Sequence, residues 1–168
     1  MINIVLFEPE IPQNTGNIMR TCAGTNSVLH LIKPLGFSLD EKNIKRSGAN
    51  YIDECTYYVY ENIDEFFSKN KGTYYFLSRY ATKVHSDFDF SNKEENIYFI
   101  FGKESTGIPK EILKDNINNS LRLPMNDKIR ALNLSNTVAI MVYEALRQQN
   151  YNDLLTYDTF KGKDYLLK

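Results

Sequence analysis

The chain has 168 residues, 42% of them hydrophobic, and a net charge of −1 at pH 7. That is enough apolar sequence for one domain with a substantial core, and the near-neutral balance excludes a global positive field, so any RNA contact has to come from a local patch. The opening MINIVLFEPE lacks a basic leader and is too short for a membrane segment, while Cys22 and Cys55 have no metal-ligand partners at useful spacing; together these predict a cytoplasmic protein with neither a disulfide framework nor a metal site.

In chain order, short runs rich in branched and aromatic residues at 2–7, 28–32, 56–60, 73–78, 97–101 and 120–123 read as strands. Helix-compatible segments lie between them: 15–25 behind Asn14 as a cap, 63–69 behind Asn62, and 109–114 with Pro109 in its first turn. Strands alternating with helices predict an α/β fold with a mainly parallel sheet flanked by helices. The last strong element, 132–149, repeats Leu134, Val138, Met141, Val142 and Ala145 at helical spacing, a stripe suited to a core or an interface. Beyond Asn150 the sequence turns polar and tyrosine-containing, so a single domain is expected over 1–168, with its core to about 150 and a tail from 151 to 168.

The loop FGKESTGIP, 101–109, places two glycines between a strand and a helix, where backbone N–H groups can approach a ligand. Gly102 and Gly107 have the separation of a phosphate-binding loop, but Ile108 and Pro109 follow where the chemistry needs a lysine and a hydroxyl. No two of the eight glycines lie two apart, which excludes the dinucleotide fingerprint and the glycine-rich loop of Rossmann-type methyltransferases.

Two further segments hold polar residues that a packed α/β domain does not need: PQNTGNIMRTC, 12–22, and LPMNDKIRALNLSNTVAIMVYEALR, 123–147. All three segments follow strands, so in a parallel sheet they gather at the carboxyl edge, where open α/β sheets bind ligands. Asn14 and Asn133 also suit helix caps, and Tyr143 on an apolar helix also suits packing. Arg20, in the first predicted helix, is expected to point back toward the loops, because helical side chains lean N-terminally. Lys103, Lys110, Arg122, Lys128 and Arg130 supply a local basic cluster near the loop, and Lys42, Lys45 and Arg46 supply another.

In this order, NIVLFEPEIPQNTGNIMR, FGKESTGIP and NLSNTVAIMVYEALRQ resemble the three motifs of the SPOUT methyltransferases, most nearly the small TrmL-type tRNA 2′-O-ribose methyltransferases acting on the wobble cytidine or uridine. The resemblance implies a C-terminal deep trefoil knot and a homodimer built on the final and first helices. It also implies S-adenosylmethionine as cofactor, a tRNA anticodon loop as substrate, and no metal or membrane. On the same grounds Leu77, Gly102, Leu123, Met125, Ala131 and Leu132 hold the cofactor. Arg20, Asn14, Glu104, Asn133 and Tyr143 are the catalytic candidates, with Arg20 a positioner, since a guanidinium of pKa above about 12 is a poor base. Relatives often carry proline, arginine and serine where this chain has Lys103, Thr106 and Ala131. Methylation of ribosomal RNA by the same fold, or binding of cofactor and RNA without turnover, are the alternatives.

Overall fold

The computed structural model describes residues 1–46 and 50–168. Its strands are β1 (Ile2–Phe7), β2 (Val28–Ile32), β3 (Tyr57–Tyr60), β4 (Thr73–Leu77), β5 (Lys83–Val84), β6 (Ile97–Phe101) and β7 (Ser120–Arg122). They form one seven-stranded sheet of order β3-β2-β1-β6-β4-β7-β5 in which every pairing is parallel. The helices are α1 (Pro12–Thr25), α2 (Glu41–Arg46), α3 (Ile63–Lys69), α4 (Lys110–Asp115) and α5 (Leu134–Gln148).

Period-two alternation decides which face each strand residue serves. Ile2, Ile4 and Leu6 pack with Ile97, Phe99 and Phe101 on the side that Ile18, Met19, Val138 and Met141 of α1 and α5 cover. Val5, Phe7, Tyr98 and Ile100 point the other way, toward Phe66 of α3 and Ile108 before α4. Both faces are therefore buried, as a parallel sheet requires. Met141 and Val142 are fully buried, so the apolar stripe of the last helix is core. Polar groups are embedded in the second face as well: His30 Nδ1 lies 2.9 Å from Tyr60 Oη and its Nε2 lies 3.1 Å from Oδ1 of the buried Asn3. Burial pushes the His30 pKa down to about 4.

Helix α3 begins and ends where the sequence places it, because Asn62 accepts the Glu65 N–H. Helix α1 does not. It starts at Pro12 rather than residue 15, and Asn14, expected as its cap, is buried inside its first turn. Strand β5 and helix α2 were not expected at all: one is two residues long, the other a polar six-residue segment, and neither carries a periodic signal.

Candidate functional site

In this strand order β1 turns outward to β2 and β3, while β6, β4 and β7 lie on its other side. The carboxyl ends of β4, β6 and β7 consequently open onto the crevice where chain direction across the sheet reverses. A cavity of about 810 Å³ lies there, a size that accommodates a cofactor. Leu77, Gly102, Leu123, Met125, Ala131 and Leu132 all line it, together with Asn14, Glu104 and Asn133.

The glycines of the 101–109 loop are needed for two different reasons. A Cβ on Gly102 would collide with the loop's own backbone at Gly107 and Ile108, so the crowding is internal and not only toward a ligand. Gly107 has open space around it but a φ of +74°, a left-handed conformation that favours glycine. The hairpin-like loop is closed by the Gly107 N–H donating to the Lys103 carbonyl at 2.8 Å.

A continuous set of hydrogen bonds ties the three polar segments together. Glu104 Oε2 accepts from the Glu10 N–H at 2.8 Å, and its Oε1 accepts from the Ile11 N–H at 3.1 Å and from Asn14 Nδ2 at 3.2 Å. A carboxylate from another loop thus occupies the start of α1, where unpaired N–H groups and the helix dipole favour negative charge. Glu10 answers in the opposite direction, accepting the Ser105 hydroxyl and N–H, each at 2.8 Å, which hold its carboxyl below the usual pKa range. Lys103 pairs with Glu8 at 2.6 Å, a contact that holds its amine above the usual range. Asn14 Oδ1 then accepts from Asn133 Nδ2 at 3.0 Å, and Asn133 Oδ1 caps α5 by accepting from the Ser135 and Asn136 N–H groups.

Asn14, Glu104 and Asn133 spend their polar atoms on one another and on two helix starts, so they shape the cavity wall. Arg20 does not line the cavity. The earlier helix start places it eight residues beyond Pro12, about 12 Å along the axis, which the N-terminal lean of a side chain does not offset. Its guanidinium instead sits 5.0 Å from the Tyr51 ring centroid. Tyr143 is 51% exposed and lines a separate recess with Gly24, Asn26 and Tyr151.

Three arginines line the cavity, Arg79, Arg122 and Arg130, and none has a carboxylate partner among the described residues. Arg122 and Arg130 belong to the basic cluster read from the sequence. Arg79 and its neighbour Tyr80 were missed, because a lone Arg-Tyr pair after a strand carries no motif. Among the described residues no helix is long and apolar enough to cross a membrane.

A family model described as the SpoU rRNA Methylase family matches residues 1–143. A Listeria innocua relative with the provisional name tRNA (cytidine(34)-2′-O)-methyltransferase is 52% identical over 162 residues, 96% of each chain. A Saccharophagus degradans protein named tRNA (cytidine(34)-2′-O)-methyltransferase is 45% identical over 153 residues, covering 90% of this chain and 97% of that one. A solved structure reported for the 2-OH methylation of C/U34 on tRNA superimposes with a TM-score of 0.81 at 35% identity, over 89% of this chain and 97% of that one.

Proposed function

The chain belongs to the SpoU rRNA Methylase family, and from that premise we propose that it transfers a methyl group from S-adenosylmethionine to the ribose 2′-hydroxyl of the wobble cytidine or uridine of tRNA. The observation that carries this reading is the cavity at the sheet's carboxyl edge, walled by all three polar segments and bordered by three arginines that have no carboxylate partner among the described residues. Relatives of near-equal length named for that reaction support the choice of substrate.

The residues present fit the cofactor. Leu77, Leu123, Met125 and Leu132 offer apolar surface, while Gly102 and Ala131 leave backbone within reach of a ligand. When bound, S-adenosylmethionine supplies an activated sulfonium methyl. The protein's part is then alignment of a ribose hydroxyl, a poor nucleophile at neutral pH, and stabilisation of its proton's departure. The network from Glu104 through Asn14 to Asn133 keeps the cavity wall rigid. Arg122 and Arg130 meet the phosphates on either side of the target.

The knot belongs to the same reading. It is supported by two stretches of chain, 101–108 and 122–134, that share one cavity wall, with the second anchored to α1 by Asn133. A homodimer is supported by a continuous outer face on which Gln13, Asn17, Arg20 and Gly24 of α1 run beside Asn136, Ile140, Tyr143 and Arg147 of α5, all exposed. Arg20 and Tyr143 lie on that face, outside their own cavity, so we assign any catalytic part they play to the paired state. One domain, acting in the cytoplasm where tRNA is modified, completes the proposal.

The test is nucleoside mass spectrometry of RNA incubated with the protein and methyl-labelled cofactor. A labelled 2′-O-methyl pyrimidine at the wobble position is expected, and none when that 2′-hydroxyl is replaced by hydrogen. Label on a base atom would refute the reaction, and label on a ribosomal RNA ribose would keep the chemistry but replace the substrate.

A further inference from the structure

Strand β4 ends at Leu77, and the turn that follows is held rigid: the Ser78 N–H donates to the Leu121 carbonyl at 3.0 Å, the Tyr80 N–H to Ser78 Oγ at 3.2 Å, and the Ala81 N–H to the Ser78 carbonyl at 3.2 Å. That turn projects Tyr80, 70% exposed, at the cavity's edge. An exposed large aromatic ring has nothing to gain from water, yet this one is orientated. The Arg79 guanidinium stands 4.7 Å from its centroid and donates through Nη2 to its hydroxyl at 2.5 Å, so one face of the ring is covered and the other faces solvent.

The surroundings say what the open face suits. Arg79, Arg122 and Arg130 border the same cavity without carboxylate partners among the described residues, while the cavity's carboxylate, Glu104, is committed to three N–H donors. A flat aromatic surface beside clustered guanidinium groups is the combination that holds single-stranded nucleic acid, with stacking for a base and positive charge for the backbone. A purely apolar partner would leave the arginines desolvated and unpaired, and a protein carboxylate would have no use for the ring.

We propose that Tyr80, braced by Arg79, is a stacking platform for one unpaired base of the RNA, next to the nucleotide whose ribose enters the cavity. The proposal rests on the RNA reading above and adds to it a residue that orients the substrate through a neighbouring base. Stacking is tolerant of base identity, so the platform fixes the register of a loop without selecting its sequence.

The experiment measures binding separately from methyl transfer. A fluorescently labelled anticodon stem-loop is titrated by anisotropy with the full chain, its Tyr80→Ala and Tyr80→Phe variants, and affinity for S-adenosylhomocysteine is measured by calorimetry. Tyr80→Ala is expected to weaken RNA binding about tenfold, Tyr80→Phe to stay within about twofold, and cofactor affinity to be unchanged in both. An abasic residue is then stepped through the loop. At one position its loss and the Tyr80→Ala loss are expected not to multiply, which identifies the stacked base. Wild-type RNA affinity in Tyr80→Ala, equal losses in the Ala and Phe variants, a fall in cofactor affinity, or multiplicative losses at every position would each overturn the platform. Binding of the stem-loop without methylation would overturn the proposed reaction and leave the platform standing.

Discussion

Asn133 Nδ2 donates to Asn14 Oδ1 at 3.0 Å, joining the N-cap of α5 to the first turn of α1 across 119 residues of sequence. The same Asn14 gives its own Nδ2 to Glu104. Asn14 is therefore polarised: an acceptor toward one neighbour and a donor toward the other. Asn133→Asp keeps the cap, since aspartate serves as well as asparagine there, but it leaves Asn14 between two acceptors with one amide to share. The unsatisfied Asn14 oxygen is expected to lower stability by about 1 kcal/mol, while methyl transfer falls about tenfold through the displaced cavity wall. Asn133→Ala loses the cap as well, so its Tm should drop further, by several degrees for about 1 kcal/mol more. Thermal melts beside initial rates separate the two roles, and an Asp variant of full activity would show that the link is dispensable.

The two loop glycines should fail differently. Gly102→Ala forces the loop apart, because the new methyl group would lie within 2.5 Å of Gly107 Cα and against Ile108 N. Gly107→Ala meets no atoms and costs only the left-handed backbone, about 1–2 kcal/mol. Calorimetry with S-adenosylhomocysteine should find no binding to Gly102→Ala and weakened but measurable binding to Gly107→Ala. The reverse order would mean that backbone conformation, and not space, sets the requirement at this loop.

Stability should decline in mildly acidic solution because of His30. Its folded pKa is depressed from 6.5 to about 4 by burial, so below 6.5 the unfolded chain binds a proton that the folded chain resists. The contribution is complete above pH 6.5, is lost progressively as pH falls toward 4, and levels off below that. Its size is about 3 kcal/mol at the full shift. Urea melts between pH 7 and 4 should show this slope, and His30→Gln, which cannot ionise, should flatten it while losing some baseline stability. A wild-type slope unchanged in the variant would assign the acid sensitivity to other groups.

What the sequence made legible follows the range of the interactions concerned. Strands β1, β2 and β6 and helix α3 were readable to the residue, because a short run of branched and aromatic residues and a cap three residues from its target are local signals. The start of α1 was not, because the group that occupies it, Glu104, lies more than ninety residues away. Glu8, Glu10 and Ser105 carried no local signal for the same reason. Only folding brings them to Lys103 and to one another. The nine cavity residues that came from the motif resemblance do share one wall, whereas Arg20 and Tyr143 stand apart from it, and spacing alone does not reveal on which side of a helix a neighbouring chain will sit.

That separation yields the last prediction. Because Arg20 does not line its own cavity, a catalytic part for it requires the paired molecule, and the outer face of α1 and α5 is where pairing is proposed. Ile140, 41% exposed on that face, is the residue to test; Met141 and Val142 are fully buried, and a charge there would unfold the chain instead. Ile140→Glu should give a monomer by light scattering with its fold intact by circular dichroism. Arg20→Ala should keep the cofactor affinity and lose about a hundredfold in transfer rate, the scale of a removed catalytic group. Mixing Arg20→Ala with the cavity variant Gly102→Val then decides which cavity Arg20 serves. If it acts across the pair, mixed dimers hold one intact cavity facing one intact arginine, and activity rises well above that of either variant alone. Absence of any recovery after subunit exchange, verified by mass, would confine Arg20 to its own chain and to a structural part on Tyr51.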